Sequence, residues 1–195
     1  MLSNRTVGRP RLEHRRLELL NAAANVFARK GFDAGSVRDI ASAANVQPSS
    51  LYHFFGSKET LFEEVYMEGV RRIKTSVETA VVTQGRPWDK LEAAAAAHLT
   101  SLLEDDFFSV VVAETIPKGT SELNIRLIVH RNDYEKMFIA FIDRLPNLTN
   151  DNKKYLRFAL FGALNATVNW YQPGKDSPEE IARRIVGLFR VQLDT

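Results

Sequence analysis

The 195-residue sequence predicts an all-α protein built as a compact three-helix head followed by a larger helical bundle. Apolar residues recur at i, i+3, i+4 and i+7 along most of the chain, and no segment alternates with the period of a strand. Gly, Pro and Asn punctuate these runs at intervals of helix length. An apolar content of 45% is ample for a packed core, and the chain contains no Cys, so no disulfide or thiolate metal site contributes.

The first helix is expected over residues 12–30, where Leu17, Leu20, Ala24 and Phe27 share a face and Gly31 offers a stop behind Arg29 and Lys30. Ahead of it lies Gly8-Arg9-Pro10-Arg11, either a basic arm suited to a narrow minor groove or a solvated tail. Ser36 and Asp39 form a capping box that starts a second helix, with Val37, Ile40, Ala41 and Ala44 inward and Arg38 outward. Asn45 tolerates the left-handed backbone that ends it.

Pro48 has a preset φ for the first position of the third helix, which Leu51 and Phe55 anchor inward. That assignment leaves Pro48, Ser49, Ser50, Tyr52 and His53 on the exposed side, preceded by Gln47 and with Phe54 at the boundary. Two short helices joined by a tight turn make a helix-turn-helix, which lays its second helix in the major groove of duplex DNA. Hydroxyls read base edges there and apolar rings contact thymine methyl groups. Ser57 caps the next helix, whose free N–H groups and Lys58 converge on a spot suited to a DNA phosphate. Residues 1–60 hold nine Lys/Arg against five Asp/Glu and the remainder seventeen against nineteen, so the positive excess sits at the reading end.

At these positions the sequence resembles the TetR family of bacterial transcription regulators. The resemblance covers about the first third of the chain, through Phe27, Ala28, Lys30, Gly31, Phe32, Val37, Arg38, Asp39, Ile40, Ala41, Val46, Leu51, Tyr52, Phe55, Ser57, Lys58 and Leu61. It implies DNA contacts from Arg38, Ser49, Ser50, Tyr52 and Lys58. Asn45 stands where the family usually has Gly, Pro48-Ser49 replaces its common Lys-Gly type pair, and Phe54 replaces His or Tyr. The last two changes alter the groups facing the bases, so the operator of a relative does not transfer to this chain.

Residues 1–56 are accordingly assigned to the arm and DNA-binding head, and residues 57–195 to an effector-binding and dimerisation body. In the body, helices are expected over 57–83, 88–104, 105–116, 121–145, 151–171 and 178–193. The Ala93 to Ala97 run serves either close helix approach or surface filling. Residues 155–171 are apolar around most of a helical circumference, so they are expected to bury one face on their own bundle and another on a partner. Gly162, Ala163 and Ala166 permit that approach, and the last helix adds Ile181, Ile185, Leu188, Phe189 and Gln192. The family resemblance implies a homodimer through these last two helices and a palindromic double-stranded operator.

The body offers more apolar side chains than a thin bundle requires. Phe108, Val112, Arg131, Tyr134 and Phe138 are candidate walls of a cavity for a small apolar effector. Asn165, Asn169 and Trp170 are candidates for its polar end, although the two Asn side chains serve equally well to hydrogen-bond across a dimer. The run Trp170-Tyr171-Gln172-Pro173-Gly174 with Ser177-Pro178 is similar to TetR-family regulators linked to fatty-acid or steroid catabolism, whose effectors are acyl-CoA thioesters. That similarity implies that Arg126, Arg131 or Lys136 attracts CoA phosphates.

Chemistry of other kinds is not expected. There is no HExxH, GxSxG or dinucleotide fingerprint, and histidines 14, 53, 98 and 130 include no i, i+4 pair, so neither an enzyme, a metal site nor a cofactor is predicted. No apolar run approaches a membrane span and the N-terminus lacks a secretory core, which makes the cytoplasm the expected location. The expected function is ligand-responsive repression. The alternatives are a family member that senses cationic drugs and controls an efflux pump, and a DNA-bound interaction protein whose body takes no small molecule.

Overall fold

A computed structural model describes residues 8–103, 106–115 and 121–193, with side chains described for 12–103, 106–115 and 121–190. Among these residues there are nine α-helices and no strand. The helices are α1 (Gly8–Ala34), α2 (Val37–Ala43), α3 (Pro48–Phe55), α4 (Lys58–Val81), α5 (Pro87–Leu103), α6 (Phe107–Glu114), α7 (Glu122–Ile142), α8 (Asn150–Ala166) and α9 (Pro178–Leu193). A short 3-10 turn, Thr167–Asn169, follows α8. None of the described helices is long and apolar enough to cross a membrane. The side chains of the Gly8 to Arg11 segment and of Gln192, and the expected helix junction at Glu104-Asp105, lie outside the described residues.

The local signals act where the sequence put them. Ser36 Oγ accepts from the Asp39 N–H at 3.1 Å, and Asp39 Oδ2 accepts from the Ser36 N–H at 3.0 Å. Lys30, 3.0 Å from Asp39, ties this box to α1. These donors hold the Asp39 carboxyl down at about 2, the Ser36 hydroxyl first among them. Asn45 has φ 52° and Gly56 has φ 76°, so both turns around α3 use left-handed backbone. At Gly31 (φ 73°, ψ 174°) the helical backbone breaks before one more turn ending at Ala34.

Two corrections concern helix faces and ends. Leu17 is 46% exposed, because at that turn it is the neighbouring Arg16 that faces the head, lying 5.1 Å from the Phe55 ring centroid and pairing with Glu64. The helix expected through Tyr171 ends as α8 at Ala166. Its last turn tightens to 3-10 over Thr167–Asn169, with the Thr167 hydroxyl donating to the Ala163 carbonyl at 3.1 Å ahead of Pro173-Gly174.

The buried apolar residues fall into two clusters. One joins Phe27, Ile40, Leu51, Phe55, Phe62 and Tyr66 to Phe108, Val111 and Leu127, so the head is continuous with α6 and α7. The other fills the body between α4, α5, α7, α8 and α9. Helix α4 runs through both, and at Gly69 it touches α6 so closely that an added Cβ would lie 2.6 Å from Val112 Cγ2 and 2.8 Å from the Phe108 carbonyl oxygen.

Candidate nucleic-acid interface and ligand cavity

Leu51 and Phe55 are buried beneath α3, and their burial turns the opposite side of the helix to solvent. Tyr52 is 52% exposed. Gln47, Ser49 and His53 are exposed beside it, while Pro48 and Ser50 are half-buried. Arg38 projects from α2 into solvent. Arg38, Gln47, Ser49, Tyr52 and His53 are thus all solvent-exposed on α2, α3 and the turn between them.

Lys58 stands at the start of α4, where the Ser57 Oγ accepts from the Thr60 N–H at 3.0 Å. Its ammonium lies 4.5 Å from the centroid of the Phe32 ring and donates to the Asp33 carbonyl at 3.3 Å. It is thus held against the end of α1.

In the body, a cavity of about 600 Å³ lies among α4, α5, α6, α7 and α8. Tyr66, Val70, Ile73, Leu102, Val112 and Phe161 supply much of its apolar wall. Five of the residues expected there line it: Val112, Arg131, Tyr134, Asn165 and Asn169. Three do not. Phe108 is buried in the head cluster, where the Arg72 guanidinium lies 4.0 Å from its ring centroid. Phe138 is buried behind the wall, packed on Phe161 at 4.9 Å, and Trp170 is 54% exposed beyond the end of α8.

Among the residues implied for anion attraction, only Arg131 reaches the cavity. Its Nε is buried without a hydrogen-bond partner, and its nearest carboxylate, Glu135, is 3.6 Å away. Arg126 is instead engaged by Glu63 at 2.6 Å, and Lys136 by Asp133 at 2.6 Å.

Sequence reasoning missed His98. It is buried on α5 and bridges Tyr134 and Asn165 in the cavity wall. Nothing in its neighbours distinguishes it from a surface histidine, apart from a place on the inward face of an Ala-rich helix. Glu63 was missed in the same way: from α4 it accepts from Arg126 and contacts His130 Nε2 at 2.9 Å, clamping α4 to α7.

The apolar face of α8 is only partly used within the chain. Leu156, Leu160, Phe161 and Leu164 are buried, whereas Tyr155 and Phe158, at 51% for the latter, face solvent along with Leu188 of α9.

Comparison with known proteins matches two stretches of the chain. Residues 19–65 match the family described as bacterial regulatory proteins, tetR family, and residues 84–193 match the tetracyclin repressor-like C-terminal domain. The chain is 29% identical over 185 residues to the HTH-type transcriptional repressor KstR2 of Mycolicibacterium smegmatis, covering 89% of this chain and 88% of that one. The TetR family transcriptional regulator PfmR of Thermus thermophilus superposes with a TM-score of 0.70 at 26% identity, covering 87% of this chain and 95% of that one. The structure of AibR in complex with isovaleryl coenzyme A and operator DNA superposes with a TM-score of 0.76 at 19% identity, covering 89% and 97%.

Proposed function

The chain belongs to the TetR family of bacterial regulatory proteins, and from that premise we propose that it is a homodimeric repressor of transcription released from a palindromic operator by an acyl-CoA thioester. Residues 1–56 serve as the DNA-reading head and residues 57–195 as the effector-binding and dimerisation body. The observation that carries this reading is helix α4. Its first turn presents Lys58 beside the reading surface, and its middle turns supply Tyr66, Val70 and Ile73 to the cavity wall.

A ligand that repacks those middle turns therefore acts on the same rigid rod that orients the head. To release DNA it must favour the non-binding arrangement by a coupling of about 1 to 3 kcal/mol. Two copies joined through the exposed faces of α8 and α9 would set their α3 helices in successive major grooves, about 34 to 36 Å apart. Arg38, Gln47, Pro48, Ser49, Ser50, Tyr52 and His53 then contact the bases and their flanks, and Lys58 contacts a phosphate. The acyl group occupies the apolar part of the cavity, with Arg131 as the counter-charge for the anionic part of the thioester. Support for that effector class comes from the isovaleryl coenzyme A bound by AibR and from the apolar cavity, at which the buried Arg131 Nε makes no hydrogen bond and lies 3.6 Å from Glu135. No catalytic step is part of the function.

Two measurements test it. An operator selected from a random duplex library should lose selectivity with Tyr52→Ala, while Lys58→Ala weakens every duplex and lowers the salt slope by about one unit. A thermal-shift screen of acyl-CoAs, free fatty acids, steroids and cationic dyes should find an acyl-CoA that stabilises the free protein and releases it from that operator. Acyl-CoA binding without release would refute the switch, and selective response to cationic dyes would favour a drug sensor.

A further inference from the structure

The wall of the body cavity contains a polar chain that bundle packing alone does not require. His98 is 4% exposed and boxed by the rings of Tyr134, Phe138 and Phe161. Both of its ring nitrogens are engaged: Nδ1 lies 2.8 Å from the Tyr134 hydroxyl, and Nε2 lies 3.2 Å from Asn165 Oδ1. Burial pushes the imidazole pKa down to about 4, so the ring is neutral, and it pushes the Tyr134 phenol far up, so the hydroxyl keeps its proton.

A neutral imidazole has one donor nitrogen and one acceptor nitrogen. With Asn165 Oδ1 as the acceptor facing Nε2, the proton belongs on Nε2, and Nδ1 accepts from the Tyr134 hydroxyl. Asn165 is exposed in the single chain, and its carboxamide meets His98 through the oxygen. Its N–H groups, on a residue that lines the cavity, donate to no described residue.

We infer that Asn165, oriented by His98 and Tyr134, donates a hydrogen bond to the thioester carbonyl oxygen of the effector, so that the cavity selects an acyl carbonyl over its saturated counterpart. This rests on the acyl-thioester reading above and identifies which group of that ligand is recognised. A neutral amide donor on the cavity lining suits an uncharged acceptor such as a carbonyl oxygen, and the anionic part of the thioester is left to Arg131. Asn165 is the reading residue; His98 and Tyr134 are positioning residues.

The test compares acyl-CoAs with matched S-alkyl-CoA thioethers, in which CH₂ replaces the carbonyl, by calorimetric titration of the full chain. The wild type should prefer the thioester by about tenfold, the worth of one good hydrogen bond. Asn165→Ala should bring that ratio to about one while thioether affinity holds. Asn165→Asp still accepts from His98 but has no donor to offer, so its ratio should also collapse. His98→Phe fills the same box without Nε2–H and should lower the ratio; were that variant not to fold, the two Asn165 variants decide alone.

Equal affinity of the wild type for the two ligands overturns the inference and leaves acyl-CoA-driven DNA release standing. Retention of the preference by Asn165→Asp overturns it too, since Asn165 would then merely hold His98. Binding of neither ligand to the wild type removes the acyl-effector reading as well.

Discussion

The head and the body of this molecule are both helical and both centred on aromatic clusters, yet they are specified over different distances along the chain. In the head and at its junction with α4, the helix caps join residues three apart: Ser36 with Asp39 and Ser57 with Thr60. In the body, His98 reaches Tyr134 across 36 positions and Asn165 across 67. A surface set by local caps and turns is stiff and needs no partner to be shaped. A wall assembled from distant helices can hold a void at its centre, and an occupant of that void can move the helices that line it.

The largest expected effect probes the head. Phe27 packs edge-on against Phe62 at 5.0 Å and beside Phe32 at 6.3 Å, so Phe27→Ala should cost about 3 to 5 kcal/mol in chemical denaturation. A loss below about 1 kcal/mol would show that this cluster does not hold the three helices together.

The next effect belongs to the body and depends on pH. His98 titrates near 6.5 in an unfolded chain but is held at about 4 when buried, so the unfolded chain takes up a proton that the folded one refuses. Its contribution is therefore full above about pH 6.5 and is lost as pH falls toward 4, a change on the order of 3 kcal/mol. His98→Phe should remove that part of the pH profile; superimposable profiles would mean that the imidazole is not sealed from water.

A pair of glycines sharpens the contrast at the junction. Gly69→Ala forces a methyl into Val112 and the Phe108 carbonyl, and should destabilise by about 1 to 3 kcal/mol while shifting effector affinity. Gly162→Ala, where a Cβ meets nothing within 4 Å in the single chain, should gain up to about 1 kcal/mol from helix propensity. A monomer-level gain that vanishes in the assembled protein would place Gly162 in the dimer contact.

The smallest effect returns to the head. Ser36→Ala should cost about 1 kcal/mol by removing the cap of α2. Because Asp39 is depressed to about 2, its own contribution is present above the ordinary carboxyl value near 3.8 and is lost as pH falls toward 2. An acid-unfolding profile unchanged by Asp39→Asn would contradict that.

Most of the fold was legible in residue order. Starts and stops sit on Ser36, Asn45, Pro48, Gly56, Ser57 and Pro178, because these residue types satisfy or terminate the backbone within a few positions of themselves. Faces of short helices followed from spacing, as Leu51 and Phe55 demonstrate. Leu17 did not follow, since periodicity shows that a helix has an apolar side but not how far around the helix its neighbours reach.

The cavity divided along the same line. Val112, Arg131, Tyr134, Asn165 and Asn169 could be picked as residue types suited to a ligand wall, whereas the seating of Phe108 in the head cluster and Phe138 behind the wall depends on how helices cross. His98 carried no sequence signal beyond its place on the inward face of an Ala-rich helix.

By itself, then, the chain's order of residues determined the helices, their caps, the exposed side of α3 and membership in a family of DNA-reading regulators, because those properties arise from interactions within a turn or two. Only the tertiary structure decided that α4 crosses α6 at Gly69, that Arg131 lines the void with its Nε buried and not hydrogen-bonded, and that His98 meets Tyr134 and Asn165. Each of these depends on groups brought together from remote parts of the chain, where the free energy lies in packing and burial that no local pattern encodes.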